Sequence, residues 1–564
     1  MATIVADNII SPLGFTTEEN LEAIMSGSSS LYHYDRMEGI PFPFTASLFS
    51  GEQKGNLLIE GYTFFESLAI QSIRYALHDI SIPLDERVIL IISSTKLNID
   101  LLSEDENEDN VICPGIAAFK IAQAIGVTTM PIVVCNACIS GVSAMILGNR
   151  LLELGLYDHA IVCGVDVQSP FIISGFQSFK ALSEESCRPF DIERLGLNLG
   201  EGVATVVFSR LSDDNVSKWH IKKGAIRNDA FHVTSPSPQG EGCLKSIQAV
   251  IKRVDIDGLA LINAHGTATM YNDQMESKAI SRADLSKIPL NGLKGYYGHT
   301  MGAAGVLETI LTMHSIEKGI ILGTKGFEEI GVSGKVNVIS SNIVTKRRDF
   351  LKIISGFGGC NAAALLSYGR VNDATLPVST IQVVHKLTLC PDMLEIDGVK
   401  QDIETDDICI LNYLYKNRIG DYPRFYKMDG LARLGFVASE LILAQEGQKR
   451  FVNNERRAVV FFNKYGTAHA DMEYLKSISD EDNFYPSPSE FVYTLPNIVN
   501  GEISIRNEYC GETCFYILPE KDERRMNEIL QTSFLDNKID SILTGWIEYK
   551  SDKDFEAELF IIEN

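Results

Sequence analysis

Basic residues are scarce in this sequence: 50 Lys and Arg stand against 74 Asp and Glu, a formal charge of −24 over 564 residues. A surplus of that sign repels phosphate backbones and anionic lipid, and no local basic patch offsets it, so nucleic-acid and membrane-surface binding are excluded as expectations. Long hydrophobic runs are missing too, since none approaches the roughly 20 apolar residues of a membrane helix. The opening MATIVADNIISPLGF has no basic stretch leading into an apolar one, so neither a leader nor a span is expected and the protein is expected to be cytoplasmic. A full metal-ligand set is absent as well: of the 11 cysteines only Cys135 and Cys138 form a CxxC, with no second pair and no His-rich neighbourhood beside it. An odd number of thiols in a chain too large to need staples reads as reduced cysteine, mostly small core residues, with no metal centre. What is present is ordinary globular composition, 45% hydrophobic and 22% charged, enough for two or three domain-sized units.

From Met1 to about Arg370, β-rich apolar runs alternate with amphipathic helical stretches, the pattern of an α/β layered domain with buried sheets. Strands are expected at 87–94, 131–134, 160–164, 204–208, 259–264 and 351–355, and helices at 63–78, 141–154 and 302–316. Residues 371–391 carry no helical face and read as a linker. Beyond it the first pattern begins again. Phe425–Leu443 echoes Phe64–Ile80, Arg456–Asp471 echoes Arg87–Asp100, and Ile539–Tyr549 echoes Tyr157–Asp166, as if one complete unit were followed by half of another.

Four segments of the leading unit carry reactive groups. PIVVCNACISGVSA (131–144) sets Cys138 between a short buried strand and a helix that opens on small residues. A thiol there faces the positive end of the helix dipole, which is expected to lower its pKa and makes Cys138 a candidate nucleophile. Buried free cysteines are more often inert packing, the character expected of Cys135. INAHGTAT (262–269) puts His265 just after a strand, and KGYYGHTMGAAG (294–305) puts His299 just before a small-residue helix start. SGFGGCN (355–361) is a glycine-rich turn whose backbone N–H groups can face a substrate oxygen. A lone histidine is usually a satisfied core or surface residue, but the four segments in one α/β unit describe a site.

Together these segments resemble the β-ketoacyl-acyl-carrier-protein synthases, decarboxylating condensing enzymes of the thiolase superfamily. The resemblance spans nearly all of residues 1–370 and extends to Asn8-Ile-Ile-Ser-Pro-Leu-Gly, Arg188-Pro-Phe-Asp, Leu199-Gly-Glu-Gly and Asn272-Asp-Gln-Met-Glu. It implies a thiolase-like layered αβαβα fold and, through the second histidine, the Cys-His-His elongating type. By position, Cys138 would accept an acyl chain from a carrier-protein thioester. His265 and His299 would hold the malonyl thioester carbonyl as neutral donors while CO2 leaves. The backbone N–H groups of Cys138 and Phe357 would form the oxyanion hole, where one donor is typically worth about 3 kcal/mol. Thr267, Thr269, Phe357 and Gly358 would contact the phosphopantetheine arm or the acyl chain, with Phe357 as gate. Lys294 would keep the site electropositive, paired with Glu308 or Glu276, while Asp273 and Glu276 order loops. No metal or resident cofactor is implied; phosphopantetheine arrives on the acyl carrier protein, the expected partner.

Some positions depart from the family pattern: Asn136 two residues before the thiol, Ile139 just after it, and the pair Tyr296 and Tyr297 before Gly-His. Ile139 and the tyrosines are expected to reshape the acyl pocket, leaving the reaction class intact. The acidic run at 104–109 reads as a solvated loop tip that disfavours an acidic carrier protein.

The trailing region, 392–564, resembles the truncated, nucleophile-free subunits called chain-length factors, above all through PSPSEFVYTLPNIVNGEI (486–503). Pro519 stands as far before Gly545 as Cys138 stands before Gly164, and neither Cys510 nor Cys514 has the Ser-Gly that follows Cys138. Condensing enzymes pair through the strand leading to the nucleophile, an edge costly to leave bare. Thr513–Leu518 (TCFYIL) could cap that edge at 131–135, and a linker of about 20 residues reaches at most about 65 Å. The chain would then form a synthase and chain-length-factor pair internally, or a homodimer. The expected function is acyltransfer with chain elongation toward a polyketide-like polyene of the aryl polyene or flexirubin type. Fatty-acid elongation is the enzymatic alternative, and a non-catalytic carrier-protein-binding or assembly module is the alternative of another class.

Overall fold

The computed structural model describes residues 2–103, 112–211, 217–371, 375–403, 409–447, 450–480 and 484–564; the acidic run at 104–109 lies outside them. Ten strands make up most of the larger sheet: β1 (Thr3–Ile10), β2 (Val88–Ser93), β3 (Ile132–Val134), β4 (His159–Asp166), β5 (Gly202–Ser209), β6 (Gln382–Cys390), β7 (Arg457–Asn463), β8 (Thr513–Ile517), β9 (Ser541–Ser551) and β10 (Asp554–Glu563). Their spatial order is β1-β5-β4-β2-β3-β8-β7-β9-β10-β6, with two short strands beyond β6. The central strands are apolar on both faces, as VILIIS in β2, because helices cover both sides of a parallel sheet.

The order is a palindrome. β2 runs parallel to β3 and β4, and β5 is antiparallel to both β4 and β1. β7 likewise runs parallel to β8 and β9, and β10 is antiparallel to both β9 and β6. The halves meet where β3 and β8 run antiparallel, Val134 opposite Tyr516 and Val133 opposite Ile517. β6 is therefore the counterpart of β1, and residues 382–390, expected to be linker, are a strand. The expectation failed because this strand is half-exposed: in QVVHKLTLC only Leu387 and Leu389 are buried, so its pattern has period 2 over a few residues and no helical face.

Side-chain caps start two of the four main helices. Thr63 and Glu66 form a capping box at the start of α1 (Phe64–Leu77), and Asp429 caps α4 (Gly430–Leu443), the equivalent helix of the second half. Between them in sequence come α2 (Ser140–Glu153) and α3 (Ala304–Glu317). A second, six-stranded sheet is built from residues 218–369 alone, and α2 and α3 touch strands of both sheets. Helices thus fill the space between two sheets in the leading half, completing a thiolase-like layered fold, while the described residues of the trailing half contribute to one sheet.

The ladders also locate the position that answers Cys138. Val134 and Gly164 both lie opposite Ser93, and Phe515 and Gly545 both lie opposite Phe461. Cys138 is the fourth residue past Val134, and Pro519 is the fourth past Phe515. Pro519 lies close against Gly115, where a Cβ would sit 2.8 Å from its Cα.

Candidate active site

β3 ends in a tight turn before α2. Ala137 takes a positive φ of 48°, and Asn136 N–H donates to Ser140 Oγ (2.8 Å), which in turn donates to the Ala137 carbonyl (2.6 Å). A non-glycine residue in this region of φ is strained, and here the hydroxyl bridge holds it. Small residues follow because the backbones touch: a Cβ on Gly141 would lie 2.9 Å from the Gly302 carbonyl oxygen. Asp166, at the end of β4, accepts from Ser94 Oγ (2.6 Å), Thr95 N–H (3.1 Å) and Gly302 N–H (2.6 Å), tying the larger sheet to the turn after His299.

Both histidines are fixed through their main chains. His265 N–H and Gly266 N–H donate to the two oxygens of Glu276 (2.7 and 2.8 Å), and Thr267 N–H donates to Asp273 (3.0 Å). These acids order the loop, as expected. His299 N–H donates to the Asn198 carbonyl (2.7 Å), and His299 Nδ1 accepts from Met301 N–H (3.2 Å). That contact assigns the His299 proton to Nε2, which is buried and has no partner among the described residues. The rings meet edge to face with centroids 5.0 Å apart, and one donor atom from each of Cys138, His265 and His299 lies within 4.8 Å of the others.

Burial drives both imidazole pKa values well below the ordinary histidine range, and the nearby Lys294 cation pushes the same way, so both are neutral at pH 7. For Cys138 the expectation of a lowered pKa is overturned. Burial pushes the thiol up to about 12, and the attraction of Lys294 offsets only part of that. Alkylation of Cys138 by iodoacetamide should therefore accelerate roughly tenfold per pH unit from 7 to 10, since the reactive thiolate grows by that factor below its pKa. Following Cys138 by peptide mass spectrometry checks this; a plateau near pH 7 would restore the helix dipole as the dominant influence.

Lys294 Nζ binds Glu308 Oε1 and the His265 carbonyl, both at 2.6 Å. Glu308, not Glu276, is thus its partner. Its other oxygen holds Lys352 at 2.5 Å, and Lys352 also reaches the Ala264 carbonyl (3.3 Å). All three side chains are buried. Two cations on one carboxylate leave the floor beneath the imidazoles electropositive. Glu308→Ala should destabilise the fold by about 3–5 kcal/mol, because it strands two buried ammonium groups. Urea unfolding reads this directly, and a loss below about 1 kcal/mol would mean that water reaches the pair.

Cys138, His265 and His299 line a cavity of about 250 Å³ together with Thr267, Thr269 and Phe357. The two threonine hydroxyls lie 2.9 Å apart. Gly358 does not line this cavity: its N–H donates to the Val233 carbonyl (2.6 Å) and its own carbonyl accepts from Asn228 Nδ2 (2.8 Å), which turns it away. Ile139, Tyr296 and Tyr297 line neither this cavity nor the narrow pocket behind Cys138. Ile139 and Tyr297 are core residues, and the Tyr296 hydroxyl donates to the Gly323 carbonyl (3.0 Å). Asn136 faces the other half, donating to the Thr513 carbonyl (2.9 Å). Behind Cys138 lies a narrow pocket of about 20 Å³ between Phe176, Met301 and Phe357, with Phe491 and Leu495 supplied by the trailing half. Thr95 and Lys96 end it and also line a cavity of about 790 Å³ between the halves. Sequence reasoning missed Lys352, although a lone cation inside the apolar strand LKIIS was a signal. It also missed Asn198, Phe491 and Leu495, which act only through long-range proximity.

The layered architecture and this trio define a thiolase-like ketosynthase fold. Family models described as β-ketoacyl synthase, N-terminal domain and C-terminal domain match residues 91–214 and 220–328. A 3-oxoacyl-[acyl-carrier-protein] synthase 2 of Rhizobium meliloti is 33% identical over 255 residues, 41% of this chain and 59% of its own. The tetracenomycin polyketide synthase ketoacyl synthase alpha subunit of Streptomyces glaucescens is 33% identical over 266 residues, 44% of this chain and 62% of its own. The chain thus spans about three-fifths of the length of these curated relatives. Among solved structures, one titled PfaC Keto synthase-Chain length factor superposes with a TM-score of 0.79 at 16% identity, covering 100% of this chain and 78% of its own. Residues 91–328 of the chain are thus similar to both domains of the β-ketoacyl synthases. Among the described residues no helix is long and apolar enough to cross a membrane.

Proposed function

We propose that this chain is an elongating β-ketoacyl-[acyl-carrier-protein] synthase whose trailing half is its own nucleophile-free partner. The observation that carries the reading is the convergence of one thiol and two neutral imidazoles within 4.8 Å, above a buried Lys294–Glu308–Lys352 cluster.

In the first step the Cys138 sulfur attacks the thioester carbonyl of an acyl chain on the phosphopantetheine arm of a carrier protein. The oxygen gathers charge against the N–H groups of Cys138 and Phe357. As the tetrahedral centre collapses, the pantetheine sulfur departs and takes up the proton that the Cys138 thiol lost. A thiol of pKa about 12 is mostly protonated at pH 7 and keeps its proton until substrate is bound. In the second step malonyl-carrier protein occupies the same cavity, with Thr267 and Thr269 beside its arm. His299 Nε2–H and His265 donate to the thioester carbonyl, so that the electron pair released with CO2 is held as an enolate. Neutral donors suit this, because an imidazolium would protonate the carbanion it had helped to form. The enolate carbon then attacks the Cys138 thioester, the carbon–carbon bond forms, and the sulfur leaves as the thiolate.

The division proposed is a catalytic unit over 1–370 and a chain-length-factor-like half over 392–564 that also takes in strand β6 at 382–390, the two joined through the residues before β6 and paired within the chain. The antiparallel β3–β8 contact and the reach of Phe491 and Leu495 to the pocket behind Cys138 support it. So does the likeness in fold of the whole chain to a single keto synthase–chain length factor structure. The product proposed is a polyketide-like polyene of the aryl polyene or flexirubin type; the cavity of about 790 Å³ between the halves offers room for a long, stiff chain. Fatty-acid elongation is the second reading, favoured by the relative named 3-oxoacyl-[acyl-carrier-protein] synthase. The test is reconstitution with malonyl-carrier protein and a panel of aryl and alkyl starters, with reductase and dehydratase supplied. Conjugated products support the polyene reading, and saturated chains alone support fatty-acid elongation. If no starter labels Cys138 and no chain grows, the protein is a carrier-binding module instead.

A further inference from the structure

The loop that carries Phe357 is held from the other half of the molecule. The peptide joining Phe357 to Gly358 is fixed at both ends: its carbonyl accepts from Asn497 Nδ2 at 2.8 Å, and its N–H donates to the Val233 carbonyl at 2.6 Å. Gly358 adopts a φ of +87°, and a Cβ there would come within 2.6 Å of Asn497 Nδ2. From the same side, a Cβ on Gly501, in helix Ile498–Asn507, would stand 2.8 Å from the Gly358 carbonyl oxygen. Two glycines therefore face one another so that this helix can rest directly on the loop backbone. Asn497 is buried, and its Oδ1 has no hydrogen-bond partner among the described residues. A buried acceptor left unpaired costs about 1–3 kcal/mol, so the side chain is placed there for its N–H donor.

One residue upstream the constraint becomes chemical. A Cβ on Gly356 would lie 3.1 Å from Cys138 N, so the strand end and the nucleophile turn touch with no side chain between them. Phe357, whose N–H is the second donor proposed for the oxyanion, is the next residue along the chain from this contact. A shift of the Phe357–Gly358 peptide would part the two donors, and two donors act on one oxyanion only when both lie about 2.7–3.1 Å from it.

We propose that Asn497 is a positioning residue for the oxyanion site: the trailing half, though without a nucleophile, fixes the Phe357 peptide so that its N–H and that of Cys138 aim at one oxygen. The inference rests on the condensing function proposed above and adds to it that catalysis in the leading half depends on a hydrogen bond from the trailing one. It also separates the half-reactions. Acylation of Cys138 passes through an oxyanion at these two donors, whereas decarboxylation of a malonyl thioester draws on His265 and His299.

The test uses the full chain with octanoyl-pantetheine and malonyl-pantetheine as probes. Asn497→Asp exchanges the donor for a second acceptor facing the Phe357 carbonyl, and Gly501→Ala pushes on Gly358 without touching Asn497. Octanoylation of Cys138, timed by intact-protein mass spectrometry, should slow at least about tenfold in both variants, against the 10²–10³ typical for outright loss of an oxyanion donor. CO2 release from malonyl-pantetheine should stay within about twofold of the parent. Equal falls in both half-reactions, no fall in either, or failure of both variants to fold would overturn the proposal, since Asn497 would then be ordinary scaffold. A parent protein that carries out neither half-reaction would instead sink the proposed function.

Discussion

Cys138→Ala is expected to abolish condensation, lowering turnover by about a thousand-fold or more, as loss of a covalent nucleophile does where the remaining groups cannot replace it. The cost falls on one step. Without sulfur no acyl-enzyme forms, and the growing chain has nothing to hold it while the carrier protein exchanges for its malonyl-loaded counterpart. Everything that handles the malonyl thioester remains, because His265 and His299 take their orientation from Glu276, Asn198 and Met301 and not from the thiol. The variant should therefore keep its fold and still release CO2 from malonyl-carrier protein, now without forming a β-ketoacyl product. Two measurements separate these outcomes: product formation with an acyl and a malonyl carrier protein together, and CO2 release with malonyl alone. Condensation at the parent rate in Cys138→Ala would remove the thiol from the mechanism, and the geometric case for the trio would fall with it.

The trio was legible from sequence because each member lies where an element ends: Cys138 past β3, His265 past strand Leu259–Asn263, His299 ahead of α3. Such junctions show as a change from apolar run to glycine and small residues, a local signal. The strands at 88–93, 132–134 and 159–166 were readable for a similar reason, since a doubly covered strand is a continuous apolar run. What escaped was set by the environment. The sign of the Cys138 shift is one case: the helix start that lowers a thiol pKa is visible in sequence, but the burial that outweighs it depends on which walls close over the turn. Tyr297 is another, since this tyrosine two residues before His299 is buried in the core and does not line the cavity. β6 escaped because a half-exposed strand at the far end of a sheet shows only two buried leucines. Lys352 and Asn497 reach the site across 44 residues from Glu308 and 140 from Phe357 respectively. No local pattern encodes such distances.

Removal of residues 371–564 is expected to leave a chain that neither folds cooperatively nor stays in solution. The cut bares β3, whose Ile132, Val133 and Val134 are fully buried and whose outer edge is paired to β8. An apolar, unpaired strand edge is a template for aggregation. The cut also removes one partner from each of three buried ion pairs: Arg150–Glu512 (2.8 Å), Arg227–Asp536 (2.6 Å) and Lys96–Asp471. Arg227 is completely buried, and each such stranded charge costs about 3–5 kcal/mol unless water enters. Three of them together rival the about 5–15 kcal/mol by which a domain is stable at all. Neutralising the three stranded cations (Lys96→Met, Arg150→Met, Arg227→Leu) in the shortened chain should restore part of the solubility but not acylation of Cys138, because the Phe357 loop would still lack Asn497. Size-exclusion chromatography, thermal unfolding by circular dichroism and octanoyl transfer to Cys138 read the three parts of this expectation separately. A shortened chain that runs as a monomer, unfolds in one transition and acylates Cys138 at the parent rate would mean that the trailing half is neither brace nor partner.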